Sequence, residues 1–195
     1  MATSATPSGA EPINTLSASG SYTGKVRHMK IASAYSTAVF YGDFVRLVSS
    51  GTVEKAAVTT AVVAGTVGIF VGCSYTDPST SQLTFNQQYP ASTTASDIMA
   101  YVVDDPKIVL KMQGDAAIAQ TGLGNNVSAI STAGSTSIGR SKNALDASSI
   151  ATTNSLPLRI LEFVDGPTST VGDAYTDCLV SYLPLSHAYE TKLGV

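Results

Sequence analysis

The chain has 195 residues, 44% of them hydrophobic and 13% charged, with a formal net charge of −3. That length and apolar content suit one compact domain with a sizeable core and exclude a disordered, highly charged tail. Globular domains carry about 25% charged residues, whereas here 48 positions are Ser or Thr and 24 are Ala, so the surface is hydroxyl-rich rather than ionic. With 11 basic against 14 acidic residues there is no global positive field to gather phosphates, which argues against a nucleic-acid binder.

Residues 1–20 hold one charge, Glu11, few apolar groups, and Pro7, Gly9, Pro12 and Gly20 spaced so as to interrupt any regular pattern. This composition predicts an extended arm rather than a core element. From Ser21 onward, short apolar runs alternate with clusters of Gly, Asp, Pro, Ser and Thr. That texture predicts an all-β domain over residues 21–195, a compact β-sandwich or barrel-like unit with little helix. Phe44–Val48 reads as a strand bounded by Tyr41-Gly42-Asp43 and Ser49-Ser50-Gly51. From Val67 to Cys73 the branched and sulfur side chains alternate onto one face. Gly68 and Gly72 on the other face predict close approach of another backbone or a bulky side chain. Leu83 and Phe85 share one face of a half-solvated strand, Thr84 and Asn86 the other. Ile98–Val103 and Ile108–Met112 are separated by Asp104-Asp105-Pro106, which reads as a turn between paired strands. Between Gly114 and Asn154 the sequence loosens into Gly, Ser, Thr, Asn and Ala with one candidate helical turn at Ala116–Gln120, and predicts a long loop-rich segment. Leu156–Val164 and Cys178–Leu183 complete the core, and no repeat of fixed period is present.

A search for chemistry finds little. His28, His187, Cys73 and Cys178 are scattered without Cys-x-x-Cys or His-x-x-x-His spacing, so the pattern calls for no metal and no other cofactor. No Gly-x-Ser-x-Gly elbow occurs, and Gly72-Cys73-Ser74-Tyr75 lacks the second glycine. Gly122-Leu123-Gly124 lacks the third glycine of a dinucleotide loop and no Gly-Lys-Ser/Thr follows any glycine run. Asp104 and Asp105 are neighbours, but in a strand they would point to opposite faces and share no site. Both cysteines lie in apolar runs and are expected to be buried free thiols. Ala56–Cys73 is interrupted by Thr59, Thr60, Gly65, Thr66, Gly68 and Gly72, which argues against a membrane span. Residues 1–20 contain no basic and apolar leader pattern, an expectation of assembly in a cytoplasm, and the Asn126-Val127-Ser128 sequon is then incidental.

Charge is unevenly distributed. Lys25, Arg27, Lys30, Arg46 and Lys55 face only Asp43 and Glu54 within residues 21–55, whereas residues 56–106 hold Asp77, Asp97, Asp104 and Asp105 and no basic group. Solvated strand edges, with lysines discouraging edge pairing, account for this pattern. So does a subunit boundary at which opposite patches meet and set register.

Three segments taken together carry a likeness to a known class: Tyr41-Gly-Asp-Phe-Val-Arg-Leu-Val48; Gly68-Ile-Phe-Val-Gly-Cys-Ser-Tyr-Thr-Asp-Pro78 running into Gln82–Thr93; and Asp97-Ile-Met-Ala-Tyr-Val-Val-Asp-Asp-Pro106. With the Met-Ala-Thr opening and Leu158-Arg-Ile-Leu-Glu-Phe-Val-Asp165, the chain resembles small virion structural proteins of tailed bacteriophages, of the capsid decoration or cement kind. The likeness spans residues 35–165 and is one of texture and segment order. It implies a non-enzymatic protein on the outer surface of an icosahedral capsid, commonly a homotrimer, with the major capsid protein as partner and neither nucleic acid nor membrane involved. Contacts to the shell or to a neighbouring copy are then expected from the arm (Thr3, Pro7, Glu11, Pro12, Ile13, Leu16) and from Lys25, Arg27 and Lys30. Twenty extended residues reach about 70 Å, so the arm could bridge subunits, and its removal is expected to leave the melting temperature nearly unchanged. The competing readings are another virion surface component, such as a head fibre, tail or host-binding protein, and more remotely a β-fold hydrolase. The hydrolase would need a pocket bringing His28 or His187 beside a carboxylate and a hydroxyl.

Overall fold

The computed structural model describes residues 4–17, 24–58, 65–191 and 194. Among them the short apolar runs become thirteen strands, with three single-turn 3₁₀ helices and no α-helix. The strands are β1 (Glu11–Thr15), β2 (Val26–Lys30), β3 (Phe44–Leu47), β4 (Val53–Lys55), β5 (Thr66–Thr76), β6 (Leu83–Asn86) and β7 (Met99–Val103). They continue with β8 (Ile108–Gln113), β9 (Asn126–Val127), β10 (Ala129–Ile130), β11 (Ala144–Leu145), β12 (Leu158–Phe163) and β13 (Asp177–Tyr182). Two antiparallel sheets form a sandwich-like domain, one ordered β1-β8-β13-β12-β9, the other β2-β7-β5-β3-β4 with β6 pairing the C-terminal half of β5; β10 and β11 make a small ribbon.

The core follows from which faces are apolar. Ile108, Leu110 and Met112 of β8, Leu158, Ile160 and Phe163 of β12, and Cys178, Val180 and Tyr182 of β13 meet Phe44, Ile69 and Val103 of the second sheet. A second cluster lies on the far face of that sheet, where Val45, Val67, Phe70, Cys73, Tyr75, Ala100 and Val102 are covered by Ile31, Val39, Tyr89 and Ile98 from the connecting segments. A strand buried on both faces reads as a continuous apolar run, which is why β5 does.

The simple alternation expected for Val67–Cys73 is broken. Register shifts at Val45/Arg46 and at Phe70/Gly72 send Val67, Phe70 and Cys73 to one cluster, while Ile69 and Val71 join the other. Each bulge inserts one residue and so exchanges the faces beyond it. The close approach expected at Gly68 is present: a Cβ there would sit 2.1 Å from the Val103 carbonyl oxygen, and its φ of +154° is one that glycine alone adopts readily.

Three expectations need correction. Residues 11–15 are extended, yet they pair with β8 of their own domain instead of projecting as an arm. Ala10 is fully buried, its N–H donates to the Gly42 carbonyl at 2.9 Å, and the Leu16 N–H donates to Lys107 O at 2.8 Å. An edge strand needs few apolar side chains because backbone hydrogen bonds hold it, and an edge tolerates Pro12; composition therefore concealed it. Asp104-Asp105-Pro106 does not join paired strands, since β7 and β8 belong to different sheets and the segment crosses between them. The Gly114–Asn154 segment is more structured than its texture suggests, for it contains β9, β10, β11 and two 3₁₀ turns, the first at Gln120–Gly122, beyond the expected position. Buried Asn126, Ser128, Ser141 and Asn143 hold it.

Candidate contact surface

Three buried ionisable groups, Asp43, Asp104 and His187, are committed to architecture. Asp43, fully buried, accepts from the Phe40 N–H (2.9 Å), the Ser141 hydroxyl (2.7 Å) and the Asn143 amide (3.2 Å), and pairs with Lys55 Nζ at 2.9 Å. One carboxylate thus ties two connecting segments, a hundred residues apart, to β4. Asp104, also buried, pairs with Arg27 and accepts from the Tyr189 hydroxyl at 2.9 Å, and the Arg27 guanidinium stands 5.7 Å over the Tyr189 ring. The hydrogen bond that Arg27 Nε donates to Asp104 and the Asp104 charge raise the Arg27 pKa, while burial followed by Asp104 raises that of Tyr189. His187 is fully buried, with Nε2 2.8 Å from the Val67 carbonyl and Nδ1 accepting from the Tyr189 N–H at 3.2 Å. These partners define a neutral imidazole with its proton on Nε2, and burial lowers its pKa. Both ring nitrogens are therefore occupied by backbone, and the pairing that a hydrolase would need is not assembled at His187. His28, exposed on β2, lies with its ring tilted against that of Tyr101, the centroids 4.7 Å apart. Cys73 and Cys178 are free and buried in separate clusters, their thiols pushed up to about 12 by burial.

The residues expected to make contacts fall into two groups. Leu16 and Arg27 converge on the crossover at Asp104–Lys107, where the Thr15 hydroxyl donates to Asp105 at 2.8 Å. There Leu16, Lys107, Arg159 and Glu190 line a groove of about 190 Å³. Pro7 lies at the opposite end of β8 with Gln113, and Glu11 and Pro12 pair with Lys111 and Leu110. Ile13 is exposed at the β1 bulge, and Lys25 and Lys30 are exposed at the two ends of β2. Thr3 lies outside the described residues. Arm and basic segment thus form two edges of one domain, not a single strap.

Two strongly exposed apolar side chains on one strand lie elsewhere. Leu83 and Phe85 are 62% and 70% exposed. Their ladder partners on β5 are Thr76 and Ser74, and Ser74 in turn faces Met99 of β7, which faces Lys30 of β2. A parallel row runs Gly72, Tyr101, His28. Directly opposed residues on antiparallel strands share a face, and the alternation along β7 puts Met99 and Tyr101 on the side of Val103, which faces the first sheet in the sandwich interior. The second sheet therefore runs past the full cover of the first, leaving Leu83 and Phe85 of β6 and His28 and Lys30 of β2 exposed at its two margins, while Ser74 of β5 and Met99 and Tyr101 of β7 between them are half-buried. Residues 78–96 carry no charge, which was the signal in the sequence for this surface. The strand was legible; its apolar side was expected to face a core and faces solvent instead.

The acidic residues nearby flank this face. Asp97 accepts from both the N–H and the hydroxyl of Thr76, and Asp77 closes the β5–β6 turn by accepting from Ser79; these bonds hold both carboxyls below the usual carboxylate range. No family model, no curated protein and no solved structure matches the chain.

Proposed function

We propose that the protein is a non-enzymatic virion structural protein that binds the outer surface of an icosahedral phage capsid and cements neighbouring major capsid subunits, with copies of the chain associating as homotrimers. The likeness of residues 35–165 to capsid decoration proteins supplies the class. The observation that carries it is the division of labour among the side chains: buried Asp43, Asp104 and His187 each spend their hydrogen-bonding capacity on ion pairs, hydroxyls, amides or backbone, while exposed apolar side chains sit at the sandwich edges, Leu16 on one and Leu83 and Phe85 on another. Such a surface suits static contact better than turnover. Its hydroxyl-rich remainder keeps the free protein soluble with little net charge to steer association. The test is recovery with assembled heads: a fixed ratio of this chain to major capsid protein is expected after purification, and sub-stoichiometric recovery that washes away would overturn the reading.

A further inference from the structure

We propose that the buried cluster of Lys55, Asp43 and Asn143 is a self-modification site, at which Lys55 Nζ attacks the side-chain amide of Asn143 to form an intramolecular isopeptide bond and release ammonia. The reaction occurs once per chain, without turnover, and it neither rests on the capsid reading nor conflicts with it. One carboxylate gathers the reacting groups. Lys55 Nζ lies 2.9 Å from Asp43 Oδ2, and Asn143 Nδ2 donates to Asp43 Oδ1 at 3.2 Å. The carboxylate is itself held in place, since the Phe40 N–H donates to Oδ2 at 2.9 Å and the Ser141 hydroxyl to Oδ1 at 2.7 Å. Asn143 Oδ1 accepts the Thr132 N–H at 2.9 Å, a contact that fixes which end of the amide is the carbonyl and polarises it. The Asn143 N–H donates to Ser141 Oγ at 3.1 Å, so the amide is anchored through its backbone as well. A primary amine, an amide with a donor already on its oxygen, and a carboxylate touching both are thus brought together.

Enclosure distinguishes this lysine from others that pair with carboxylates. The Lys55 side chain is 12% exposed and that of Asp43 not at all, whereas those of Lys107 and Lys111 are 57% and 37% exposed beside Glu190 and Asp177. Asn143 is buried, and the buried Phe40 ring stands 5.9 Å from Nζ, so bulk water is kept out as a competing nucleophile. Asp43 takes one proton from the Lys55 ammonium along their contact and leaves a neutral amine. The flexible lysine stem then carries Nζ onto Asn143 Cγ. The nitrogen lone pair forms the new C–N bond, and the carbonyl pair moves to Oδ1, where the Thr132 N–H holds the negative charge. Asp43 passes its proton to Nδ2 and takes one from the newly bonded Nζ. The Oδ1 pair returns, the Cγ–Nδ2 bond breaks, and ammonia leaves with the electrons of that bond. It accepts the proton now on Asp43 and departs as ammonium, so the carboxylate ends as it began and nothing is oxidised or reduced. The product ties β4 covalently to the segment before β11.

The test is the intact mass of the full chain, denatured after incubation of the folded protein until no further change occurs, followed by mapping of its tryptic peptides. The wild type is expected to weigh one ammonia less than its sequence. A branched peptide should join the segments around Lys55 and Asn143, with no tryptic cleavage after Lys55. Lys55→Arg keeps a cation beside Asp43 but offers no nucleophilic amine, and it is expected to show the full sequence mass together with a cooperative urea transition. Asp43→Asn removes the proton carrier and is expected to show the full mass as well. A wild type of full sequence mass would overturn the proposal, whether or not either variant folds. So would loss of water in place of ammonia, which would put the bond on Asp43, or loss of ammonia without the branched peptide, the mark of a succinimide at an asparagine. An ammonia deficit in Lys55→Arg equal to that of the wild type would also overturn it. No capsid enters these measurements, so their failure leaves head binding untouched, and loss of head binding leaves them untouched.

Discussion

The two ends of one sheet face differ in their cover. Toward Val103 and Ile69, where β3 flanks β5, the inner face of the second sheet lies under the first sheet and these side chains are buried; toward Leu83 and Phe85, where β6 flanks β5, both side chains are exposed and the neighbouring Met99 is half-buried. Periodicity specifies which side chains share a face. Whether that face is covered depends on how far the opposing sheet extends, which is a property of another part of the chain.

Perturbing the two ends should separate them sharply. The largest effect is expected for Gly68→Ala at the covered end, where the added Cβ would sit 2.1 Å from the Val103 carbonyl oxygen. Backbone has nowhere to yield there, so a loss of more than about 4 kcal/mol is expected, read as failure to show a cooperative urea transition. Ile69→Ala, also under the first sheet, should cost about 2–5 kcal/mol in the same measurement, whereas Phe85→Ala at the exposed end should change stability by no more than about 0.5 kcal/mol. Equal costs for the two would mean that Phe85 is covered in the free protein.

Deleting residues 4–16 removes the edge pairing with β8 and the buried Ala10. It should lower the melting temperature by several degrees, roughly the effect of a loss of about 1–2 kcal/mol in a domain of this size; an unchanged melting temperature would return the segment to the status of a dispensable tail. A smaller effect is expected from His187, whose Nε2 holds the Val67 carbonyl at the covered end of β5. Burial lowers its pKa below the ordinary 6.5, so the unfolded chain takes up a proton that the folded one resists. This contribution is whole above pH 6.5 and is lost as the pH falls below that value toward the depressed folded value. Melting temperatures of the wild type should therefore fall between about pH 7.5 and 5.5 more steeply than those of His187→Gln; identical slopes would show that the imidazole is not desolvated.

The all-β class, the strands at Phe44, Leu83, Ile98 and Ile108, and the buried free thiols were legible because each is a local consequence of alternation or of apolar context. What the sequence hid was long-range. Asp43 looked like a turn residue, since its partners Ser141 and Asn143 are about a hundred positions away. The bulges in β5 were concealed because Val67–Cys73 alternates without flaw, and only pairing with β3 and β7 introduces the extra residue. Glu11–Thr15 looked like an arm because an edge strand is held by backbone groups, which every residue carries. Leu83 and Phe85 were assigned to the right strand and the right face, yet their exposure could not be read from the spacing that assigned them.

The most direct measurement is hydroxyl-radical footprinting of the chain, dilute and free, against the chain in its assembled form, with Leu123, Ile138 and Leu185 as exposed references on other parts of the surface. The account predicts strong protection of Leu83, Phe85 and Met99 on assembly, while at least one reference side chain keeps its reactivity. Unchanged labelling of Leu83 and Phe85 in the assembled protein would contradict it.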